Sequence, residues 1–349
     1  MLKKMYIRKT IAELQEYVPG AHPLKIVAKL NANENPYAPA PQVLAVLNSI
    51  SGEQLRLYPS ATAEPLRIAA AETWKIAPDM LLAGNGSDDI LTIIMRTFIE
   101  QGEKVAVLTP SYTLYETLTA IQAGISEVHQ LTEQLELPES FYQSKAKVKF
   151  VPNPNAQTGT LFSMESLERL CCETDGIIVI DEAYALFAGV DHTTLLQKYD
   201  NLIITRTLSK AYSLAGLRIG FGISNTEIIA MMHKVKDSYN VNVVSQLVGC
   251  AALGATDYTL DIIQKIMESK TWFEKQLKQL GWQYYESRAN FVLAKPPTQE
   301  PLQVLEYLQQ NGYLVRHFKN IERIKSHLRF SIGTMQQMQM IISLLNKLN

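Results

Sequence analysis

Lys210 stands in the run TLSKAYSLAGLRIGF (207–221), with Ser209 beside it and Arg218 eight residues on. An amine, a hydroxyl and a fixed positive charge this close suit a lysine that holds a carbonyl carbon next to a bound anion. Taken alone, the same lysine also reads as an ordinary solvated loop residue. Further polar groups fall in the same kind of place, just past short apolar runs: Tyr112, Asn153 and Asn155, and Asp181 with Tyr184. Asp181 follows IIVI directly, which puts it at the rim of a core where a bare carboxylate is costly. It needs a cation or a strong donor, which a helix N-terminus, an arginine or a protonated ring nitrogen could each supply. GNGSDD (84–89) reads as a glycine-rich turn entering a helix whose free N–H groups suit a phosphate, and an N-cap by Ser87 or Asp88 accounts for the same residues. The spacing is not G-x-G-x-x-G and there is no Walker lysine, so a nucleotide loop is a poor fit.

These residues need elements to position them. Apolar, β-rich runs at 104–110, 148–154, 176–184, 201–207 and 217–223 predict strands, and the helical periodicity between them predicts crossover helices. Near-continuous Val, Ile and Leu suits a sheet covered on both faces. Open sheets of this kind bind ligands beyond the carboxyl ends of their strands, where the polar groups above cluster. The chain has 349 residues, 47% of them hydrophobic, enough for a large core. Its net charge of -1 gives no footprint for nucleic acid or an anionic membrane. Three cysteines, two of them adjacent, form neither a disulfide framework nor a spaced metal cluster, which fits a reducing cytoplasm. No run approaches membrane-spanning length, and MLKKMYIRKTIAELQEYV has no apolar signal-peptide stretch. Past residue 244 the pattern changes: 301–318 predicts a helix, a stop at Gly312 and a strand, and 327–334 a further strand. The expected organisation is an arm over 1–43 that packs with the small domain and a dimer partner, a large domain over 44–243, and a small domain over 244–349.

A carboxylate and a lysine delivered to one sheet edge match what pyridoxal phosphate requires: a partner for its ring nitrogen and an amine for its aldehyde. Ser209 and Arg218 would then complete a phosphate cradle with the 84–89 turn. At this point the chain resembles the fold-type I pyridoxal-phosphate aminotransferases, and among them the histidinol-phosphate group. The resemblance rests on YVPG (17–20), KLNANENPY (29–37), LYP (57–59), GNGSDDIL (84–91), PSYTLY (110–115), DEAY (181–184), the 207–221 run, YNVN (239–242), ANFVL (289–293), GYLVRHF (312–318) and LRFSIGT (328–334). It implies an α/β fold, with a mostly parallel seven-stranded sheet covered by helices plus a smaller α/β domain. It further implies Lys210 as the Schiff-base lysine, Asp181 on the ring nitrogen, Tyr184 on the ring hydroxyl and Tyr112 stacked on the ring. Ser87, Asp88, Ser209 and Arg218 would surround the phosphate, and Tyr58 would reach it from the other subunit of a homodimer with shared active sites.

One segment departs from the pattern. The family commonly carries asparagine, proline, threonine and glycine where this chain has AQTG, so Ala156 and Gln157 stand in the asparagine and proline places. Asn155 is expected to take over the ring oxygen, with Asn153 as second choice and Tyr184 alone as the fallback. Arg316 and Arg329 suit a carboxylate or a phosphate equally by chemistry. The resemblance implies that, with Tyr17 and Asn33, they bind the substrates, histidinol phosphate and glutamate or 2-oxoglutarate. An aromatic amino acid aminotransferase, a threonine-phosphate decarboxylase and a non-catalytic ligand-binding module are the competing expectations.

Overall fold

The computed structural model describes residues 7–14 and 26–348. A seven-stranded sheet is built from β2 (Leu81–Gly84), β3 (Lys104–Thr109), β4 (Ile125–Gln130), β5 (Val148–Pro152), β6 (Ile177–Asp181), β7 (Leu202–Thr207) and β8 (Gly220–Ile223). A short strand, β1 (Ala28–Lys29), precedes them. The order across the sheet is β2-β8-β7-β6-β5-β3-β4, and β8 alone runs against the rest.

Alternation along the strands explains why the sheet is covered twice. On β6, Ile178 and Ile180 enter one apolar core while Val179 enters the other, and Ile204 and Ile203 of β7 divide in the same way. Two strands of this sheet were not expected. β4 is an edge strand with a single buried residue, His129, and β2 is four residues long and runs straight into the 84–89 turn. The run from 217 is also shorter as a strand than expected. Ala215–Leu217 forms a short 3-10 turn, Arg218 takes a left-handed conformation (φ 51°), and β8 begins at Gly220.

The second layer of structure is a four-stranded sheet of β9 (Gln283–Tyr284), β10 (Phe291–Lys295), β12 (Arg316–His317) and β13 (Leu328–Ser331). Between β10 and β12 lies β11 (Tyr313–Leu314), which pairs in parallel with β1, so the arm is stitched to the small sheet. The helix Val243–Leu253 packs on Glu64–Trp74 and Pro41–Ser49, and Ser245 donates to the Leu217 carbonyl at 2.7 Å. That helix, which begins at the expected boundary near 244, packs with the elements of the large sheet. The boundary at 43 cuts the helix Pro41–Ser49.

Lys149 of β5 is fully buried, with its ammonium donating to the Phe141 and Tyr142 carbonyls at 2.9 Å each. Burial pushes its pKa down to about 8. Between there and about 10.4 the unfolded chain binds more protons at this residue than the folded one, so stability rises with pH through that window. The difference in denaturant midpoint between the wild type and Lys149→Met should therefore shift toward the wild type from pH 8 to pH 10.

Candidate active site

Four consecutive positions in the sheet meet at one cleft. The turn after β2 leads into the helix Ser87–Phe98, whose N-cap is Gly86 (φ 90°) with no side chain capping it. The expected cap by Ser87 or Asp88 is absent, because both lie inside the first turn and border the cleft. The first N–H groups of this helix are thus left for a ligand. Glycine is required on both sides of this approach. A Cβ on Gly220 would strike the backbone of Gly86 and Ser87, and one on Gly86 would lie 2.5 Å from the Arg218 guanidinium. Arg218 reaches over the turn to Asp88 at 2.9 Å and to the Ser209 hydroxyl at 3.3 Å. Tyr112 donates to the other Asp88 oxygen at 3.1 Å.

β6 delivers Asp181. Its carboxylate accepts from the Tyr115 hydroxyl at 2.7 Å and from the Ala183 N–H at 3.1 Å, and it pairs with no cation among the described residues. Burial raises its pKa, against the pull of those two donors. Tyr115 is itself fully buried, stacked on Phe150 at 4.6 Å, and burial together with Asp181 holds its hydroxyl protonated well above the usual range. Tyr115 was not among the expected site residues. Its signal was position, three residues after Tyr112 in PSYTLY.

The turn after β7 delivers Ser209 and Lys210. The Lys210 ammonium donates to the Ala32 carbonyl at 3.0 Å and lies 6.0 Å from the centre of the Tyr184 ring. Asn35, also without an expected role, donates to the Lys210 and Ala211 carbonyls at 3.3 and 3.1 Å and holds this turn against the arm. Asn33 donates to the Tyr184 hydroxyl at 2.9 Å, and its N–H donates to the Ser331 hydroxyl of β13 at 2.8 Å. Its left-handed backbone (φ 55°) is one that asparagine tolerates better than most residues.

Arg316 and Arg329 face each other across β12 and β13, and both border the cleft. Each guanidinium lies over the Phe318 ring, at 5.6 and 5.1 Å from its centre. Arg329 also donates to the Ala156 and Asn31 carbonyls at 2.9 and 3.2 Å.

Two expected residues are elsewhere. Asn155 does not reach the cleft. It is fully buried, its amide donates to the Pro110 carbonyl at 3.0 Å, and its oxygen accepts from the Gln157 and Thr158 N–H groups at 2.9 and 3.1 Å. Asn153 is likewise spent on Phe162 and His192. The loop therefore turns Ala156 and Gln157 toward the cleft instead, and Tyr184 is the hydroxyl left at that wall. Tyr58 is 81% exposed and stacks on Tyr239 at 4.5 Å, outside the cleft. Tyr17 lies outside the described residues.

A mostly parallel sheet with a lysine, a desolvated carboxylate and an uncapped helix start at one edge defines a fold-type I transferase. Residues 25–345 match the aminotransferase class I and II family, and the chain belongs to it. It is 38% identical over 344 residues to the histidinol-phosphate aminotransferase of Geotalea uraniireducens, covering 98% of this chain and 99% of that one. It is 40% identical over 347 residues to histidinol-phosphate aminotransferase 1 of Trichormus variabilis, covering 98% and 99%. The crystal structure of the histidinol-phosphate aminotransferase from Sinorhizobium meliloti, in complex with pyridoxal-5'-phosphate, superposes with a TM-score of 0.89 at 21% identity over all of both chains.

The enzyme is a pyridoxal-phosphate-dependent aminotransferase, and the residues present fit the cofactor. Asp181 is a buried carboxylate in need of a positive N–H. The uncapped helix start, Ser87, Ser209 and Arg218 form an anion cradle, and Lys210 is the amine between them. In the cofactor-free chain, the raised pKa of Asp181 means that stability is greatest below the unfolded carboxyl value and declines as pH rises through the folded one. Asp181→Asn should therefore stabilise the cofactor-free chain at pH 7, an advantage lost below about pH 4. The same variant should weaken pyridoxal phosphate by on the order of 100-fold, because it removes one partner of a buried pair. Denaturant midpoints and a cofactor titration followed by fluorescence check both.

Proposed function

We propose that this aminotransferase takes the amino group of L-histidinol phosphate and passes it to 2-oxoglutarate, a step of histidine biosynthesis that yields imidazole acetol phosphate and glutamate. The observation that carries the reading is the pair Arg316 and Arg329, opposite each other at the rim of the Lys210 cleft. Two planar guanidinium forks side by side suit a dianion, and a phosphate monoester is one near neutral pH. The 38–40% identity to histidinol-phosphate aminotransferases over nearly the whole chain supports the same substrate.

Pyridoxal phosphate, when bound, supplies the electron sink that acidifies the substrate Cα–H. Lys210 takes that proton and returns it during transfer, and its seat against the Ala32 carbonyl orients the amine. With the cofactor bound, Asp181 would keep a proton on the ring nitrogen, Tyr184 would donate to the ring oxygen, and Tyr112 would line the ring. Arg218, Ser87, Ser209 and the first turn that includes Asp88 would hold the cofactor phosphate, with the Asp88 carboxylate fixing Arg218. Because one cleft serves both half-reactions, initial-rate lines for the two substrates are parallel. The functional unit is a cytoplasmic homodimer. Exposed Leu55, Leu57 and Tyr58 support a subunit interface from which Tyr58 reaches the partner's phosphate, and the three free thiols suit a reducing compartment.

Arg316→Gln should lower kcat/KM for histidinol phosphate by about 10- to 100-fold, the worth of one or two charge-assisted hydrogen bonds, mostly through KM. L-histidinol, which lacks the phosphate, should be turned over poorly and almost equally by both forms. Faster turnover of phenylalanine or tyrosine than of histidinol phosphate by the wild type would replace this reading with an aromatic amino acid aminotransferase. Sedimentation should return twice the chain mass, and Tyr58→Phe should weaken cofactor binding without changing that mass.

A further inference from the structure

Phe318 stands two residues past Arg316, just beyond the end of β12, and borders the cleft beside both arginines. The spacing of two puts Arg316 and Phe318 on one face, and Arg329 lies opposite Arg316 on the neighbouring strand. The two guanidinium carbons lie over this one ring, 5.6 and 5.1 Å from its centre.

Phenylalanine is usually a core residue, and this one is not. Among the described residues it packs into neither apolar core, and it is only half-buried. Phe291 makes the contrast. Its ring is fully buried in the larger core and lies 5.1 Å from the Arg329 guanidinium, so it seats that arginine from inside the protein. Phe318 is the ring that the two arginines share at the cleft.

Its aromatic character answers a specific problem. Two like charges on directly opposed strand positions repel one another. A carboxylate between them would hold them together, but it would cancel their charge and compete for the N–H groups an incoming anion needs. An aromatic face draws both cations by its π electrons and leaves the net charge of the pair intact. Holding two long side chains in place beforehand also removes an ordering cost from binding.

We infer that Phe318 is a positioning residue whose ring holds Arg316 and Arg329 side by side as a preformed seat for the substrate's anionic group. This assignment rests on the proposed function, in which the pair binds the phosphate of histidinol phosphate. What the site needs at 318 is then an aromatic face rather than apolar bulk.

The experiment measures kcat and KM for L-histidinol phosphate and for L-histidinol with the pyridoxal-phosphate-loaded wild type, Phe318→Leu and Phe318→Tyr. It repeats Phe318→Leu in an Arg316→Gln background. The cofactor's visible absorption band reports that each form is folded and loaded. Phe318→Leu should raise KM for histidinol phosphate about tenfold, the worth of two cation–π contacts, with kcat and the band little changed. Phe318→Tyr keeps the aromatic face and should stay within about twofold of the wild type. In the Arg316→Gln background Phe318→Leu should cost only about threefold, since one of the two contacts is already gone. An equal loss on histidinol, or a loss that Phe318→Tyr shares, would show that the side chain merely shapes the cleft and would overturn the assignment. The same tenfold cost in both backgrounds would show that the ring does not act through Arg316, and overturns the shared seat. A wild type that turns over histidinol phosphate with a KM that Phe318→Leu does not raise overturns Phe318 alone. A wild type inert to histidinol phosphate overturns the proposed function and this assignment with it.

Discussion

The arrangement turns on one carboxylate kept out of water. Asp181 ends a central strand, accepts from a phenol and a backbone N–H, and has no cation paired with it among the described residues. A carboxylate in such a place raises the free energy of the cofactor-free chain. The rest of the site reads as consequences of tolerating it. Tyr115 is buried beneath it to supply a strong donor, Phe150 is stacked on Tyr115 to fix that donor, and the opening above is left for a positively charged ring. The site is thus built at the expense of the apo chain's stability, as is usual where a group is preorganised for a partner still to arrive.

Sheet topology converts this local demand into a site. Because β3, β5, β6 and β7 run parallel, each ends at the same edge, and the residues just beyond them meet without any long excursion. The reversed strand β8 serves a different need. It brings Gly220 against the Gly86–Ser87 turn and places Arg218, in its left-handed conformation, over the start of the helix. A side chain at 220 or a relaxed backbone at 218 would move the guanidinium away from the anion cradle.

The parallel strands with continuous Val and Ile were legible from composition alone, since burial on both faces leaves nothing else for them to be. So were Lys210, Asp181 and the helix turn, because their polar residues interrupt apolar runs at points where interruption is costly. β4 was not legible, since an edge strand with one solvated face looks like a polar loop. That neither Asn155 nor Asn153 reaches the cleft was illegible for another reason. Which residue of a tight loop faces the cleft depends on backbone hydrogen bonds such as Asn155 to Pro110, whose partner is 45 residues away. Tyr115 and Asn35 were hidden in the same way, as residues that touch a functional group only after the chain has folded.

The arm has a mechanical meaning of its own. Within three residues it joins β13 at Ser331 through the Asn33 backbone N–H, Tyr184 beyond β6 through the Asn33 side chain, and the Lys210 turn through Asn35. A rigid rotation of one sheet relative to the other must either carry Asn33 along, dragging the tyrosine hydroxyl with it, or break a 2.9 Å bond. The strap is too short to stretch, so displacement at the arginine rim and displacement at the reacting nitrogen are geared together rather than independent.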